Sequence, residues 1–259
     1  MKPITELELD AGNTFIKWRI CRDGVAEPQQ RWFTDEIRCR SVQIPAEWIG
    51  LDSARYVSVA GDEVNQWLNQ TFQRLSIPFI TAEVHSEYQG LKNAYKNPEQ
   101  MGADRWVAML AGWQKLQSSF CVVDAGSAIT IDWVNHQGQH LGGYILPGVA
   151  MLKKSLLGQT AKVRWDEQHQ TTRIAPGKST AECVEHGCRY QIAALMKQLE
   201  RDCKERHIDK MLVTGGDAFD LMAWLNDAEY HPLLVLDGLK YLDMPTLDDN
   251  TLAKKQKEC

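Results

Sequence analysis

Short runs of alternating apolar and polar residues are followed, along most of this chain, by longer runs with apolar residues at helical spacing. The segment LELDAGNTFIKWRI, residues 7–20, has the alternation of two strands separated by a polar turn. RYVSVAG, residues 55–61, predicts a buried strand that ends at glycine, and residues 62–76 follow it with a helical apolar stripe. Residues 102–116 and 181–206 show the same helical spacing. Strands alternating with helices predict an α/β protein.

An internal repeat relates the two halves of the sequence. Residues 121–134, CVVDAGSAITIDWV, match residues 7–20 in order: a strand, Asp-Ala-Gly, a small polar residue and a second strand that ends near tryptophan. We interpret the repeat as a duplicated domain, with domains at 1–118 and 119–259 and with two similar turns facing each other across a cleft. The alternative is that Asp-Gly turns are common in hairpins, which explains one copy more readily than two.

Each Asp-Ala-Gly turn has the composition of a phosphate-binding loop. Glycine lets the backbone approach a ligand closely, and the amides near Asn13-Thr14 and Ser127-Ala128 can donate hydrogen bonds to phosphate oxygens. The aspartate that ends each first strand can hold a cation that contacts the phosphates. The sequence has neither a G-x-x-x-x-G-K-[ST] loop nor a G-x-G-x-x-G loop, so a Walker-type site is not indicated.

Composition and charge narrow the class of protein. The net charge of -5 over 259 residues gives no basic footprint, so we expect neither nucleic acid nor a membrane surface as a partner. The first residues, MKPITELELD, lack the apolar core of a signal peptide, and no apolar run reaches the length of a membrane span. Seven cysteines without a C-x-x-C pair predict a reduced, cytoplasmic chain with no disulfide framework.

Four motifs follow one another along the chain. They are Asp10-Ala-Gly-Asn-Thr-Phe-Ile-Lys17-Trp18, Gly102-Ala-Asp104-Arg105, Asp124-Ala-Gly-Ser127-Ala-Ile-Thr130-Ile-Asp132 and Gly142-Gly143-Tyr-Ile-Leu-Pro147-Gly148. In order and spacing they resemble the type III pantothenate kinase family, from about Leu7 to beyond Gly216. That family belongs to the superfamily of acetate kinase, sugar kinases, heat-shock ATPases and actin. The resemblance therefore implies an α/β fold with duplicated ribonuclease H-like (actin-like ATPase) domains and a cleft between them.

The resemblance also implies a reaction. Members of the family phosphorylate pantothenate with ATP and Mg²⁺, the first step of coenzyme A biosynthesis. They use a monovalent cation, K⁺ or NH₄⁺, and generally act as homodimers. One alternative is a regulatory binding protein, a transcription accessory factor on the same scaffold without kinase activity. A weaker one is another kinase or phosphatase of the superfamily. A regulatory protein has no need of Asp10, Asp104 and Asp124 together, and all three are present.

By the same resemblance, the residues that bind the nucleotide and the cations come from both halves of the chain. The first segment runs through Asp10, Ala11, Gly12, Asn13, Thr14, Phe15, Ile16 and Lys17, with Asp10 expected near the Mg²⁺ on the nucleotide. Ser127 occupies a position where the family usually has an ATP-binding threonine and keeps its hydroxyl. Asp124 corresponds to the ligand of the monovalent cation.

The resemblance assigns the substrate side to three other segments. Asp104 corresponds to the catalytic base, within a pantothenate-contacting segment made of Gly102, Ala103, Asp104 and Arg105. Tyr95 and Thr180 correspond to further substrate-binding residues.

Elementary chemistry is compatible with these roles, but alternatives remain open. Phosphoryl transfer requires positioning and charge neutralisation more than a strong base, so Asp104 needs only to orient a hydroxyl and accept its proton late. Arg105 could keep Asp104 ionised or pair with the pantothenate carboxylate as a planar fork. Asp104 and Thr180 could instead be helix caps, Lys17 a solvated strand residue and Tyr95 a packing residue.

Overall fold

The computed structural model describes residues 3–157 and 174–244 of the chain, which divide into two compact units. The first unit comprises the described residues up to Ala82 together with those from Leu239, and the second is Glu83–Gly238. This division groups residues 83–118 with the second unit, because the long helix in that segment packs on the sheet of the second repeat. The proposed boundary between 118 and 119 follows the duplication, and it stays a prediction.

The first unit is built on a six-stranded sheet. Its elements are β1 (Thr5–Ala11), β2 (Phe15–Arg22), β3 (Val25–Ala26), β4 (Gln30–Phe33), α1 (Thr34–Arg38), a 3₁₀ turn (Ala46–Trp48), β5 (Ser53–Ser58), α2 (Asp62–Arg74) and β6 (Phe79–Thr81). The strand order is β3-β2-β1-β5-β6, and β4 pairs with β2. β1 is antiparallel to β2 and parallel to β5, which is parallel to β6.

The two faces of the β1–β2 hairpin differ in character. One face packs Leu7, Leu9, Ile16 and Trp18 into the core of the first unit, against α2 side chains. The other face is polar. It carries Asp10 and Lys17 near the turn and, farther along the strands, the buried pair of Glu8 and Arg19, whose Oε2 and Nε atoms are 2.6 Å apart. Alternation along the strands therefore separates the core from the face that carries the candidate site residues.

The second unit has a five-stranded sheet with the same plan. Its elements are β7 (Glu87–Tyr88), β8 (Leu91–Lys92), a 3₁₀ turn (Pro98–Gln100), α3 (Ala103–Leu116), β9 (Phe120–Ala125), β10 (Ala128–Val134), β11 (His140–Pro147), α4 (Val149–Leu157), α5 (Thr180–Glu205), β12 (Lys210–Thr214), α6 (Ala218–Met222), β13 (Glu229–Tyr230) and α7 (Leu234–Leu239), which ends in the first unit. The strand order is β11-β10-β9-β12-β13, with β9, β12 and β13 parallel and β10 antiparallel to both neighbours.

Both sheets therefore place an antiparallel hairpin beside two parallel strands in the same order, as expected for a duplicated fold. The hairpins differ by one residue in the turn. Ala11 pairs with Ile16 in the first hairpin, whereas Ala125 pairs with Ile129 in the second. As a consequence Asp10 faces Lys17, while Asp124 faces Thr130.

The helices begin and end close to the predicted positions. The pattern over residues 181–206 corresponds to α5, and Ser179 is its N-cap, accepting a hydrogen bond from the Glu182 amide at 3.2 Å. Thr180 is the first helical residue and is exposed, so the alternative reading of Thr180 as the helix cap is wrong. Within 3–157 and 174–244, no helix is long and apolar enough to cross a membrane.

Candidate active site

The first Asp-Ala-Gly turn is an ordered loop with an exposed tip. The Gly12 amide donates to the Phe15 carbonyl at 3.0 Å, while Asn13 and Thr14 are exposed. Thr34, buried at the start of α1, holds the loop from behind: its hydroxyl donates to the Gly12 carbonyl at 2.7 Å and its amide to the Thr14 carbonyl at 2.9 Å. Thr34 therefore fixes the backbone of the loop through these two carbonyls, while the residues at the tip of the loop are exposed to solvent.

A row of charged side chains crosses the sheet next to this turn. Asp10 on β1 lies opposite Lys17 on β2, and Lys17 lies opposite Arg31 on β4. Directly opposite residues point to the same face of a sheet, so one carboxylate and two cations share this face. Lys17 and Asp10 are half-buried, and Arg31 lies 4.8 Å from the centre of the Phe15 ring. The two cations fit the phosphates of a nucleotide, and the carboxylate fits a divalent metal.

The second turn brings three backbone segments close to one carboxylate. Asp124 is the penultimate residue of β9 and lies between Thr130 on β10 and Thr214 on β12 in the same row of the sheet. The Asp217 amide donates to the Ala125 carbonyl at 2.9 Å, which ties the Gly215 turn to this strand end. Gly215 has a φ of +98°, and a Cβ there would lie 2.5 Å from Asp124 Oδ1, so the close approach requires glycine. The carboxylate and hydroxyl oxygens fit a hard cation.

Ser127 is exposed at the tip of this second turn. The buried Gly148, which follows β11, donates its amide to the Ser127 carbonyl at 3.1 Å. A Cβ on Gly148 would lie 2.5 Å from that carbonyl oxygen, which explains the glycine in the fourth motif. The hydrogen bond from Gly148 therefore fixes the backbone of the loop that carries the Ser127 hydroxyl.

Asp104 lies in the first turn of α3 but is not its cap. Gly102 is the N-cap, and Asp104 Oδ1 accepts the Arg105 amide at 2.8 Å. The interpretation of Asp104 as an N-cap is therefore wrong. Burial raises the pKa of the Asp104 carboxyl above its ordinary value, against the opposing effect of the Arg105 amide and charge. The expectation that Arg105 keeps this carboxylate ionised holds for the sign of its contribution, but burial has the larger effect.

The Arg105 side chain turns away from Asp104 and binds Asp132. Arg105 Nε and Nη2 donate to Asp132 Oδ2 and Oδ1 at 2.9 and 2.6 Å, and Nη1 donates to the Tyr95 hydroxyl at 3.0 Å. Both Arg105 and Asp132 are buried. Burial lowers the pKa of the guanidinium, but the pairing with Asp132 and the bond to Tyr95 together outweigh it and raise the pKa. Tyr95 is half-buried, so it joins the Arg105 side chain to the surface rather than packing only in the core.

Asp132 and His140 are two members of the site that the sequence reasoning did not select. Asp132 belongs to the third motif, so a signal for it was present. His140 Nε2 lies 3.0 Å from Asp132 Oδ1, yet His140 opens β11 outside any motif and could not be found from the sequence. Gly143, opposite Asp132 on β11, makes room for them, because a Cβ there would lie 2.8 Å from Arg105 Nη2.

The predicted site residues thus form local groups. Asp10 to Lys17 form the hairpin turn of the first unit. Within the second unit, contacts join Tyr95, Arg105 and Asp104, while Asp124 and Ser127 lie on the second turn. Thr180 is exposed at the start of α5.

The repeated strand order and the two Asp-Ala-Gly turns define the class: the protein has the actin-like ATPase fold, made of ribonuclease H-like sheets. Two solved structures share it. One, from Campylobacter jejuni and described as a Baf family transcriptional activator, is 24% identical with a TM-score of 0.57, covering 90% of this chain and 95% of its own. The other, from Listeria monocytogenes and described as an N-acetylmannosamine kinase, is 12% identical with a TM-score of 0.53, covering 92% and 97%. These likenesses concern the fold alone.

Sequence comparison gives the family. The family model for type III pantothenate kinase matches residues 6–202. A type III pantothenate kinase from Marinobacter nauticus is 39% identical over 237 residues, which is 90% of this chain and 96% of that protein. The chain belongs to the type III pantothenate kinase family. It is therefore an enzyme, a kinase that uses ATP with a divalent metal.

Proposed function

We propose that this kinase transfers the γ-phosphoryl group of ATP to pantothenate, giving 4'-phosphopantothenate in the first step of coenzyme A biosynthesis, and that it does so with the residues described above. The observation that carries the assignment of residues is the Gly102–Arg105 segment. It opens α3 with a partly buried carboxylate whose pKa is raised, as a general base requires.

Each of the two turns offers donors to phosphate oxygens. The backbone amides of the exposed residues Asn13 and Thr14 and the cation of Lys17 are the proposed donors on the first turn, and the Ser127 hydroxyl is the proposed donor on the second. Asp10 lies near the divalent metal. Bound ATP with Mg²⁺ supplies the phosphoryl group and most of the charge neutralisation that its loose transition state requires.

On the substrate side, Asp104 orients the pantothenate hydroxyl and accepts its proton as the phosphoryl group is transferred. Because burial raises the pKa of the Asp104 carboxyl, it holds this proton better than an exposed aspartate. Gly102, Ala103 and Arg105 form the segment around the substrate, and Tyr95 and Thr180 contact it from β8–α3 and from the start of α5.

The monovalent cation, K⁺ or NH₄⁺, is proposed to bind at Asp124. The support is chemical: Thr130 and Thr214 flank Asp124 in the same row of the sheet, so hydroxyl oxygens are available beside the carboxylate. The protein is further proposed to act as a homodimer in the cytoplasm, as the family resemblance implies.

The proposed function is tested by ADP release from MgATP with and without pantothenate, in KCl and in NaCl. We expect turnover that requires pantothenate and is faster in KCl. The Asp124→Asn variant should lose the advantage of KCl over NaCl, because the carboxylate that holds the cation is gone. Folded wild-type protein that releases no ADP with pantothenate in either salt would overturn the proposed phosphorylation of pantothenate. An unchanged salt response of the variant would remove Asp124 from the cation site.

A further inference from the structure

Four side chains of the second unit form one continuous chain of hydrogen bonds from the interior to the surface. His140 contacts Asp132, Asp132 holds Arg105 by two bonds, and Arg105 donates to the Tyr95 hydroxyl. His140, Asp132 and Arg105 are only 1%, 2% and 5% exposed, whereas Tyr95 is half-buried. The chain therefore ends at the one member that a ligand can reach.

One edge of the Arg105 guanidinium could bind a carboxylate by two parallel hydrogen bonds, and this edge is already occupied. Arginine carries five N–H donors in a planar fork. The edge formed by Nε and Nη2 faces both oxygens of Asp132, and Nη1 faces Tyr95. Asp132 therefore occupies the place that a substrate carboxylate would take on this edge. On the side toward the surface, Arg105 binds the Tyr95 hydroxyl and orients it.

The direction of each hydrogen bond follows from the chemistry of the donors. The Ala94 amide points at His140 Nδ1 at 3.4 Å, which makes Nδ1 the acceptor and places the ring hydrogen on Nε2, toward Asp132. At the other end, arginine has no acceptor, so the Tyr95 oxygen accepts from Nη1 and its own hydrogen is directed elsewhere. Tyr95 is thereby prepared as a donor.

The ring of Tyr95 is also fixed in orientation. It stacks on His140 with centroids 6.2 Å apart and an interplanar angle of 19°, and Arg105 Cζ lies 5.8 Å from its centre. His140 thus touches Tyr95 through the ring and, through Asp132 and Arg105, holds its hydroxyl.

We propose that His140 and Asp132 are positioning residues for pantothenate: acting through Arg105, they orient Tyr95 so that its hydroxyl donates a hydrogen bond to an oxygen of the substrate. The inference rests on the proposed function, because pantothenate is the substrate that Tyr95 contacts. It differs from a purely structural role of the buried ion pair, which would leave substrate affinity unchanged in any protein that still folds.

The test is a double-mutant cycle between His140→Leu and Tyr95→Phe, read as KM and kcat for pantothenate and as the Kd for pantothenate from calorimetry. Tyr95→Phe removes only the hydroxyl and should raise KM and Kd about 3–10-fold, the value of one hydrogen bond. His140→Leu should raise them by a similar factor with kcat and the KM for ATP within about twofold. In the Tyr95→Phe background, His140→Leu should have almost no further effect on Kd, because both changes remove the same interaction.

Two further variants keep the test decisive. His140→Gln retains an N–H donor toward Asp132 and should restore most of the affinity lost in His140→Leu. His136→Leu is the matched control: this exposed histidine, 3.5 Å from Asp209, lies outside the chain of bonds and should leave KM unchanged. If His140→Leu does not fold, Asp132→Asn replaces it in the same cycle, because a carboxamide has one acceptor oxygen where Arg105 donates to two.

The outcomes separate this inference from the proposed function. Wild-type protein without pantothenate-dependent ADP release would contradict the function itself. With wild-type turnover present, equal effects of His140→Leu on Kd in both backgrounds, or a loss of thermal stability with unchanged Kd, would overturn the positioning role.

Discussion

At the scale of single residues, Asp104 is governed by opposing effects. Burial favours its neutral form, while the Arg105 amide and charge favour the ionised form, and burial prevails. The Arg105 guanidinium is paired with Asp132, and its charge lowers the pKa of Asp104 by less than burial raises it. The carboxylate is thus a better proton acceptor than an exposed aspartate, and its ionisation in the folded state costs stability.

Asp104→Asn should lower kcat about 10²–10⁴-fold, because the proton acceptor is lost, without lowering the melting temperature at pH 7. A carboxyl whose pKa is higher in the folded than in the unfolded state contributes stability below its ordinary pKa of 3.8, and this contribution is lost as the pH rises through the raised value. Asparagine avoids that loss and keeps the oxygen that accepts the Arg105 amide. Steady-state kinetics and thermal unfolding at pH 7 check both parts.

The pH profile gives a second measure of the same residue. The acidic limb of kcat/KM for wild-type protein should lie above pH 3.8, and the residual activity of Asp104→Asn should lack it. The exposed Asp227→Asn is the control and should change neither quantity. A drop in turnover below tenfold would demote Asp104 from general base.

How far the sequence predicts the site depends on whether a residue's partners lie near it in the chain. The segments around Asp10, Asp104 and Asp124 are recognisable as motifs, and the structure places each at the end of a strand or in the first turn of a helix. The partner of Arg105 could not be inferred, because only the folded sheet brings β10 and β11 to α3. His140 has no local pattern at all, and it is identified only by its contacts.

At the scale of secondary-structure elements, glycine positions decide whether strands and helices reach their functional spacing. Gly143 lies opposite Asp132 on β11, where a Cβ would lie 2.8 Å from Arg105 Nη2 and closer still to Asp132 Oδ1. The strand patterns themselves were predictable from alternation, as were α2, α3 and α5 from helical spacing. The one-residue difference between the hairpin turns could not be predicted. The ungapped repeat aligns Lys17 with Ile131, but in the structure Thr130 lies opposite Asp124, as Lys17 lies opposite Asp10.

Gly143→Ala should lower the free energy of unfolding by about 1–3 kcal/mol and raise KM for pantothenate, because the added methyl group displaces the Asp132–Arg105 pair. Gly187→Ala is the matched control within the second unit. Gly187 is exposed inside α5 with no atom within 4 Å of a new Cβ, so the same substitution should stabilise by about 0.5–1 kcal/mol. Urea unfolding and kinetics distinguish the two. Equal stability of Gly143→Ala and wild-type protein would contradict the close packing described here.

At the scale of the whole molecule, the chain consists of two units with equivalent sheets. Each sheet could be predicted in class from the alternation and the internal repeat, because both signals are local in the sequence. Residues 83–118 belong to the second unit because of contacts between residues that are far apart in the sequence. Such contacts leave no local pattern from which this grouping could be predicted. The second unit also exposes apolar side chains, among them Ile145 at 66% and Met151 at 48%.

The proposed homodimer predicts a sedimentation mass of about twice 29.4 kDa at micromolar concentration. Exposed apolar surface favours association, and a dimer that binds only folded chains should also show a melting temperature that rises with protein concentration. Sedimentation equilibrium over a hundredfold dilution measures this directly. A mass of 29.4 kDa at every concentration would contradict the dimer.

The buried pair of Glu8 and Arg19 has a consequence for the fidelity of folding. A chain with two similar hairpins could pair a strand of one copy with a strand of the other, a characteristic error of repeated sequences. If β1 paired with β10 so that Asp10 lay opposite Thr130, Glu8 would lie opposite Asp132. If β2 in turn paired with β9 so that Lys17 lay opposite Asp124, Arg19 would lie opposite Val122. Opposed carboxylates and a buried arginine without its partner cost about 3–5 kcal/mol. The charges on the polar faces of the hairpins therefore disfavour pairing between strands of different copies.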